Sequence, residues 1–243
     1  MTTGPKDKVK ALVFDVFGTV VDWRGSLIRE LTAFGKGRGF QADWASFADD
    51  WRKLYQPSME EVRSGRREWT ILDVLHRESL LKLIDKHGLK GLADHEVEHL
   101  NTIWHRLDPW PDAVEGLTRL KRRYIISTLS NGNTGLLIRM AKRAGLPWDL
   151  ILGAETARAY KPLPEAYLRN AALLNLEPHE VMLVAAHNDD LAAAAATGYR
   201  TAFVVRPTEY GPHQSKDFAA DRAWDVVTDS FTGVADAMGC PVL

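Results

Sequence analysis

Read from its N-terminus, the chain alternates short apolar runs with longer segments of helical period. Ala11-Leu12-Val13-Phe14 is a compact run of strand formers that stops at Asp15. The same design returns at Tyr124 to Leu129, followed by Ser130-Asn131-Gly132-Asn133, and at Leu150 to Leu152. It returns again at Val181 to Ala185, followed by His187-Asn188-Asp189-Asp190, and at Thr201 to Val205. Continuous rather than alternating apolar character predicts strands buried on both faces, as in a parallel sheet. Between them, Asp112 to Arg122 and Thr134 to Ala144 read as helices, the second stopped by Gly145 and Pro147. The pattern predicts an α/β fold, a doubly wound, Rossmann-like parallel sheet whose ligand crevice lies beyond the carboxyl ends of the strands. The polar clusters fall at those ends.

Residues 23 to 108 break the alternation. They read as helix throughout, interrupted by glycine-bearing turns at Gly35 to Gly39, Ser64-Gly65 and Gly88 to Gly91. The expected organisation is an inserted helical cap domain over 23–108 on a core domain built from 1–22 and 109–243. Leu107-Asp108-Pro109-Trp110-Pro111 is its re-entry point, because two prolines discourage helix there.

With 243 residues the chain can bury a sizeable core, and 45% hydrophobic with 26% charged residues are ordinary globular proportions. A net charge of −1 gives no electrostatic reason to expect nucleic acid or an anionic membrane as partner. The single cysteine, Cys240, rules out an intramolecular disulfide or a cysteine zinc cluster and suits a reducing cytoplasm. Met1 to Lys10 is polar and reads as a frayed start rather than a signal or membrane segment.

Candidate chemistry sits on the strand ends. Asp15, before Gly18-Thr19, is a carboxylate beside a backbone turn and can serve as a nucleophile, although an aspartate at a strand end is as often a cap. Ser130 and Asn131 offer a hydroxyl and an amide to an anion, or simply form a turn. Lys161, in Ala159-Tyr160-Lys161-Pro162, would hold nearby carboxylates ionised, where a solvated lysine is the ordinary alternative. Asp190 can orient water, although Asn188-Asp189-Asp190 is also a common helix start.

Asp15, Ser130, Lys161 and Asp190, in order and in spacing over nearly the whole chain, resemble the four motifs of the haloacid dehalogenase superfamily. The phosphatases of that superfamily carry a second aspartate two residues after the nucleophile, where this chain has Phe17. A departing halide needs no proton, whereas an alkoxide does. Phe17 and the strings Phe-Asp-Val-Phe-Gly-Thr-Val-Val-Asp-Trp-Arg, Leu-Ser-Asn-Gly-Asn and Tyr-Lys-Pro are similar to the (S)-2-haloacid dehalogenase branch.

That resemblance implies a small 2-haloacid substrate, an aspartyl ester on Asp15, no metal, no cofactor and a homodimer. It implies Thr19 beside the nucleophile, Arg52 as halide receiver between the aromatic walls Trp51 and Tyr55, and Tyr167 supporting Lys161. Where the branch often has serine and asparagine before the last acid, this chain reads Ala185-Ala186-His187-Asn188, so His187 and Asn188 become the candidates for positioning water. This variant resembles a subgroup that includes fluoride-releasing enzymes. A magnesium-dependent phosphatase using Asp189 and Asp190, or a silent binding protein, are the rival readings. His76, His95, His99 and His105 share no metal spacing and are expected on helix surfaces.

Overall fold

The computed structural model describes residues 8–242. Four inner runs and two edge runs form a parallel six-stranded sheet: β1 (Ala11–Phe14), β4 (Ile125–Ser130), β5 (Leu150–Gly153), β6 (Val181–Ala185), β7 (Arg200–Val204) and β8 (Val226–Thr228). Their spatial order is β5-β4-β1-β6-β7-β8. The chain therefore builds outward on one side of β1 and then on the other, which makes the end of β1 the switch point where a crevice opens. In register, Ala11 faces Ile125 on one side and Val181 on the other.

Strand alternation divides β1 between two cores. Leu12 and Phe14 enter a cluster with Ile126, Met182 and Val184 under α5 (Ala113–Lys121), α6 (Thr134–Ala144) and α10 (Phe231–Ala237). Val13 faces the other cluster, with Leu183 and Phe203 under α8 (Pro164–Leu173) and α9 (Asn188–Ala196). Each such side chain contributes about 2 kcal/mol of transfer free energy before entropy is counted. That is why β1 is rigid enough to aim an acid. Val9 is buried and the Lys10 amide donates to Glu180 O at 2.8 Å, so the sheet begins inside the expected frayed start; residues 1–7 of that expectation lie outside the described residues.

Helices α1 (Trp23–Arg38), α2 (Trp44–Arg63), α3 (Leu72–Lys86) and α4 (Asp94–Asn101), with a 3-10 turn at Thr102–His105, fill the stretch between β1 and α5. Their apolar residues join the first cluster continuously. The stretch leaves and re-enters through an antiparallel ribbon in which β2 (Val21–Asp22) pairs with β3 (Asp108–Pro109). The expected turn at Gly35 to Gly39 is confined to its end: α1 runs to Arg38 and stops at Gly39 with φ +70°, while Gly35 lets α2 approach, since a Cβ there would stand 2.2 Å from the Trp44 ring. His95 and His99 are exposed, but His76 and His105 are not. The His76 ring stacks on Trp104 with centroids 4.3 Å apart, and His105 Nε2 lies 2.9 Å from Asp73 Oδ1. No helix among the described residues is long and apolar enough to cross a membrane.

Candidate active site

β1 leads directly into Asp15, whose amide donates to Val184 O at 3.1 Å. The chain then turns through Gly18 at φ +88°, a conformation that glycine adopts without strain. This turn brings Thr19 back over the carboxylate, where its hydroxyl donates to Asp15 Oδ2 at 2.7 Å and accepts the Ala186 amide at 2.9 Å. One side chain thus ties the ends of β1 and β6 together.

Lys161 arrives from the loop after α7 (Ala154–Ala157), the single helical turn that follows β5. Its ammonium donates to Asp15 Oδ1 at 2.9 Å and to Asp190 Oδ2, while its amide donates to Asn131 Oδ1 at 2.9 Å. Asp190, in the first turn of α9, also accepts the Tyr167 hydroxyl at 2.6 Å. His187 closes the other side, with Nδ1 3.1 Å from Asp15 Oδ2 and Nε2 2.9 Å from Glu209 Oε2.

These contacts set the charges. Burial works to raise the Asp15 carboxyl, but the adjacent Lys161 and His187 outweigh it and hold the group well below the usual carboxylate range. Burial and the charge of Asp15 raise Asp190 despite Lys161. Burial would discharge His187, yet Glu209 and Asp15 raise it well above its ordinary value.

A cavity of about 720 Å³ opens over Asp15, lined by Phe17, Trp23, Arg52, Tyr55 and Asn131 among others. Arg52 lies on the Tyr55 ring, 4.3 Å from its centroid, and 5.3 Å from the centroid of Trp23. Its Nη1 is sealed from solvent and has no hydrogen-bond partner among the described residues. Phe17 packs edge-on against Tyr55 and Trp104. No cluster of three or more metal-ligating side chains was found among the described residues.

Of the expected site residues, Asp15, Phe17, Arg52, Tyr55, Asn131, Lys161, His187 and Asp190 line this cavity. Thr19 and Tyr167 stand behind it, holding Asp15 and Asp190. Ser130 is fully buried, its Oγ accepting the Gly132 amide at 3.1 Å to close the turn. Trp51 is buried behind the cavity wall and donates to His76 O at 3.2 Å. The Asn188 side chain donates to Asp217 and Ala219 and accepts from Asp221 and Trp224, so it clamps the loop before β8. Glu209 was not foreseen. Its one legible signal is its place just past the β7 strand end, the same kind of place that carries Asp15 and His187.

Comparison with known proteins bears on the same residues. A family model described as haloacid dehalogenase-like hydrolase matches residues 9–198. The (S)-2-haloacid dehalogenase 4A of Burkholderia cepacia is 28% identical over 240 residues, covering 94% of this chain and 99% of the relative. A crystal structure of a defluorinating L-2-haloacid dehalogenase is 48% identical with a TM-score of 0.92, covering 95% of both chains. That of another L-2-haloacid dehalogenase is 44% identical with a TM-score of 0.93, covering 96% of this chain and 100% of that one. The matched span runs from the strand that delivers Asp15 through the helix that carries Asp190, and on that ground the chain belongs to the haloacid dehalogenase-like hydrolases.

Proposed function

We propose that the protein hydrolyses small 2-haloalkanoic acids, of (S) configuration where C2 is chiral, to 2-hydroxy acids through an ester on Asp15. The observation that carries this reading is the pairing across one cavity of an ionised, buried carboxylate with the Arg52 guanidinium laid on the Tyr55 ring. Asp15 Oδ2 receives two donors and Oδ1 only the Lys161 ammonium, so Oδ1 is the less encumbered oxygen and attacks C2. The substrate carboxylate rests against the backbone amides after Asp15 and those of the Ser130-Asn131 turn. Halide leaves toward Arg52 and Asn131, and the aromatic wall keeps water away so that the charge acts at full strength. Water oriented by Asp190 then cleaves the ester, while Lys161 stabilises the departing alkoxide.

Metal independence belongs to this reading. Phe17 stands where the phosphatases carry their second aspartate, and an aromatic ring supplies neither an acid nor a metal ligand. Fluoroacetate is included as a substrate, because a relative at 48% identity is a defluorinating enzyme. The helical stretch 23–108 acts as a cap that brings Arg52 and Tyr55 over the core. A cytoplasmic homodimer is the proposed setting, with Cys240 free and buried.

One turnover of 2-chloropropionate in heavy-oxygen water, with enzyme in excess, tests the covalent route. The label should enter the peptide containing Asp15 and leave the product hydroxyl light. Label found chiefly in the hydroxy acid would refute the ester and favour direct attack by water.

A further inference from the structure

We infer that Thr19 and His187 form a two-donor cradle for Asp15 Oδ2 that takes up the negative charge developing there as the ester is cleaved, and that Glu209 is the positioning residue that aims the ring. The inference rests on the ester reading above. It assigns the work to the second half of the reaction.

When Oδ1 is bonded to substrate carbon, Oδ2 becomes the ester carbonyl oxygen. Its two neighbours are unchanged, the Thr19 hydroxyl at 2.7 Å and His187 Nδ1 at 3.1 Å. Water then adds to the Asp15 carboxyl carbon as Asp190 takes its proton, and the carbonyl electron pair moves onto Oδ2. Collapse restores the double bond, expels Oδ1 with the substrate carbon as an alkoxide, and returns the proton from Asp190 to it. The Asp15 carboxyl, now carrying the water oxygen, releases its own proton to solvent. Only Oδ2 carries new charge at the intermediate, and donors fixed in advance at hydrogen-bond distance are the effective means of stabilising it.

The ring can donate from Nδ1 only if that nitrogen carries hydrogen. Nε2 faces a carboxylate, which accepts, so both nitrogens are donors and the ring is cationic. While Asp15 is ionised, two acids hold that proton. Once Asp15 is esterified only Glu209 remains, so its contribution falls on ester cleavage and not on halide displacement. Glu209 is fixed for this: it is 1% exposed, and its Oε1 receives the Trp23 indole at 3.0 Å. Gly18 passes so near that a Cβ there would lie 2.1 Å from Oε1. The charged groups around the ring are Asp15 and Glu209, with Lys161 and Asp190 beyond Asp15, and Arg52 beyond Glu209.

The test is rapid-quench single turnover of 2-chloropropionate by wild type and Glu209→Gln, reading free halide and, by intact mass, protein carrying the substrate less halide. Gln keeps the acceptor for Trp23 and removes the charge. The expected result is a halide burst within a few-fold of wild type, ester cleavage slowed about 100-fold, and accumulated ester. Cleavage in Glu209→Gln should also fall as pH rises through neutrality, as the ring loses its proton, where wild type stays flat. Glu209→Asp should recover part of the rate, and it serves as the probe if Glu209→Gln does not fold. Halide release and cleavage slowed alike, or cleavage unslowed, in the variant that folds would overturn the inference while leaving the ester standing. Wild type forming no ester would overturn both.

Discussion

The two walls of the cleft are built on opposite terms. On the sheet side, Asp15 accepts from Lys161, Thr19 and His187, and Lys161 in turn spans two carboxylates, so the fixed charges are saturated. On the helical side, polar atoms are left unpaired. Of nine buried side-chain polar atoms without a partner among the described residues, seven belong to Arg52, Trp69, His76, Asn101, Trp104 and His105, and two to Arg200 and Asp217. Saturation keeps a nucleophile in place. A guanidinium laid on an aromatic ring at the cavity instead offers its charge to an anion that arrives only during the reaction, because that anion meets little competing water there. The helical side bears a cost for this, since an unsatisfied buried polar group costs about 1–3 kcal/mol.

The sharpest break is on the saturated side. Asp15→Asn should lower halide release by roughly four orders of magnitude or more, because an amide with the same contacts is a poor nucleophile. Turnover within a few-fold of wild type, with deamidation excluded by mass, would remove Asp15 from its role. On the other wall, Arg52→Ala should lower kcat about 100-fold with a smaller change in KM, as measured by steady-state halide release. A loss confined to KM would make Arg52 a substrate clamp rather than a halide receiver.

His76 separates the working orphan from the idle ones. Burial, with the Arg52 charge adding to it, pushes this imidazole down to about 3. Its unfolded form takes a proton near 6.5, so the native state loses stability as pH falls from about 6.5 toward 3 and is unaffected above that window. His76→Phe should therefore match wild type or exceed it in melting temperature at pH 7, and the gap should widen as pH falls through that window. A gap that shrinks on acidification would show that His76 is paired and charged in the fold. The smallest effect expected is none: magnesium and chelator should each leave halide release unchanged, and reversible loss on chelation would revive the metal-dependent reading of the site.

How much of this could be read in the sequence follows from the same physics. β1 and β6 are buried on both faces, so their apolar runs mark their bounds residue for residue. β8 escaped notice because it is an edge strand of three residues with Val227 half exposed, flanked by Asp225 and Asp229. The β2–β3 ribbon has too few residues to show any period. Gly35 carries a turn signal but serves a helix crossing, and His76 is buried by partners that no local window contains. In the site, Asp15, Lys161 and Asp190 were legible because each stands at a strand end within a string of recognisable order. Glu209 has no such string. Its meaning comes from His187, which lies 22 residues away and is reached across two neighbouring strands.

The ribbon that pairs Val21-Asp22 with Asp108-Pro109 has a consequence in chain entropy. It pins together the two ends of the helical excursion, so the sheet experiences everything between them as one closed loop. The cost of closing such a loop grows only with the logarithm of its length. Helices could therefore be lengthened, shortened or exchanged beyond the ribbon without altering the register of β1 against β4 and β6. The nucleophile would keep its aim while the size and chemistry of what it meets were revised.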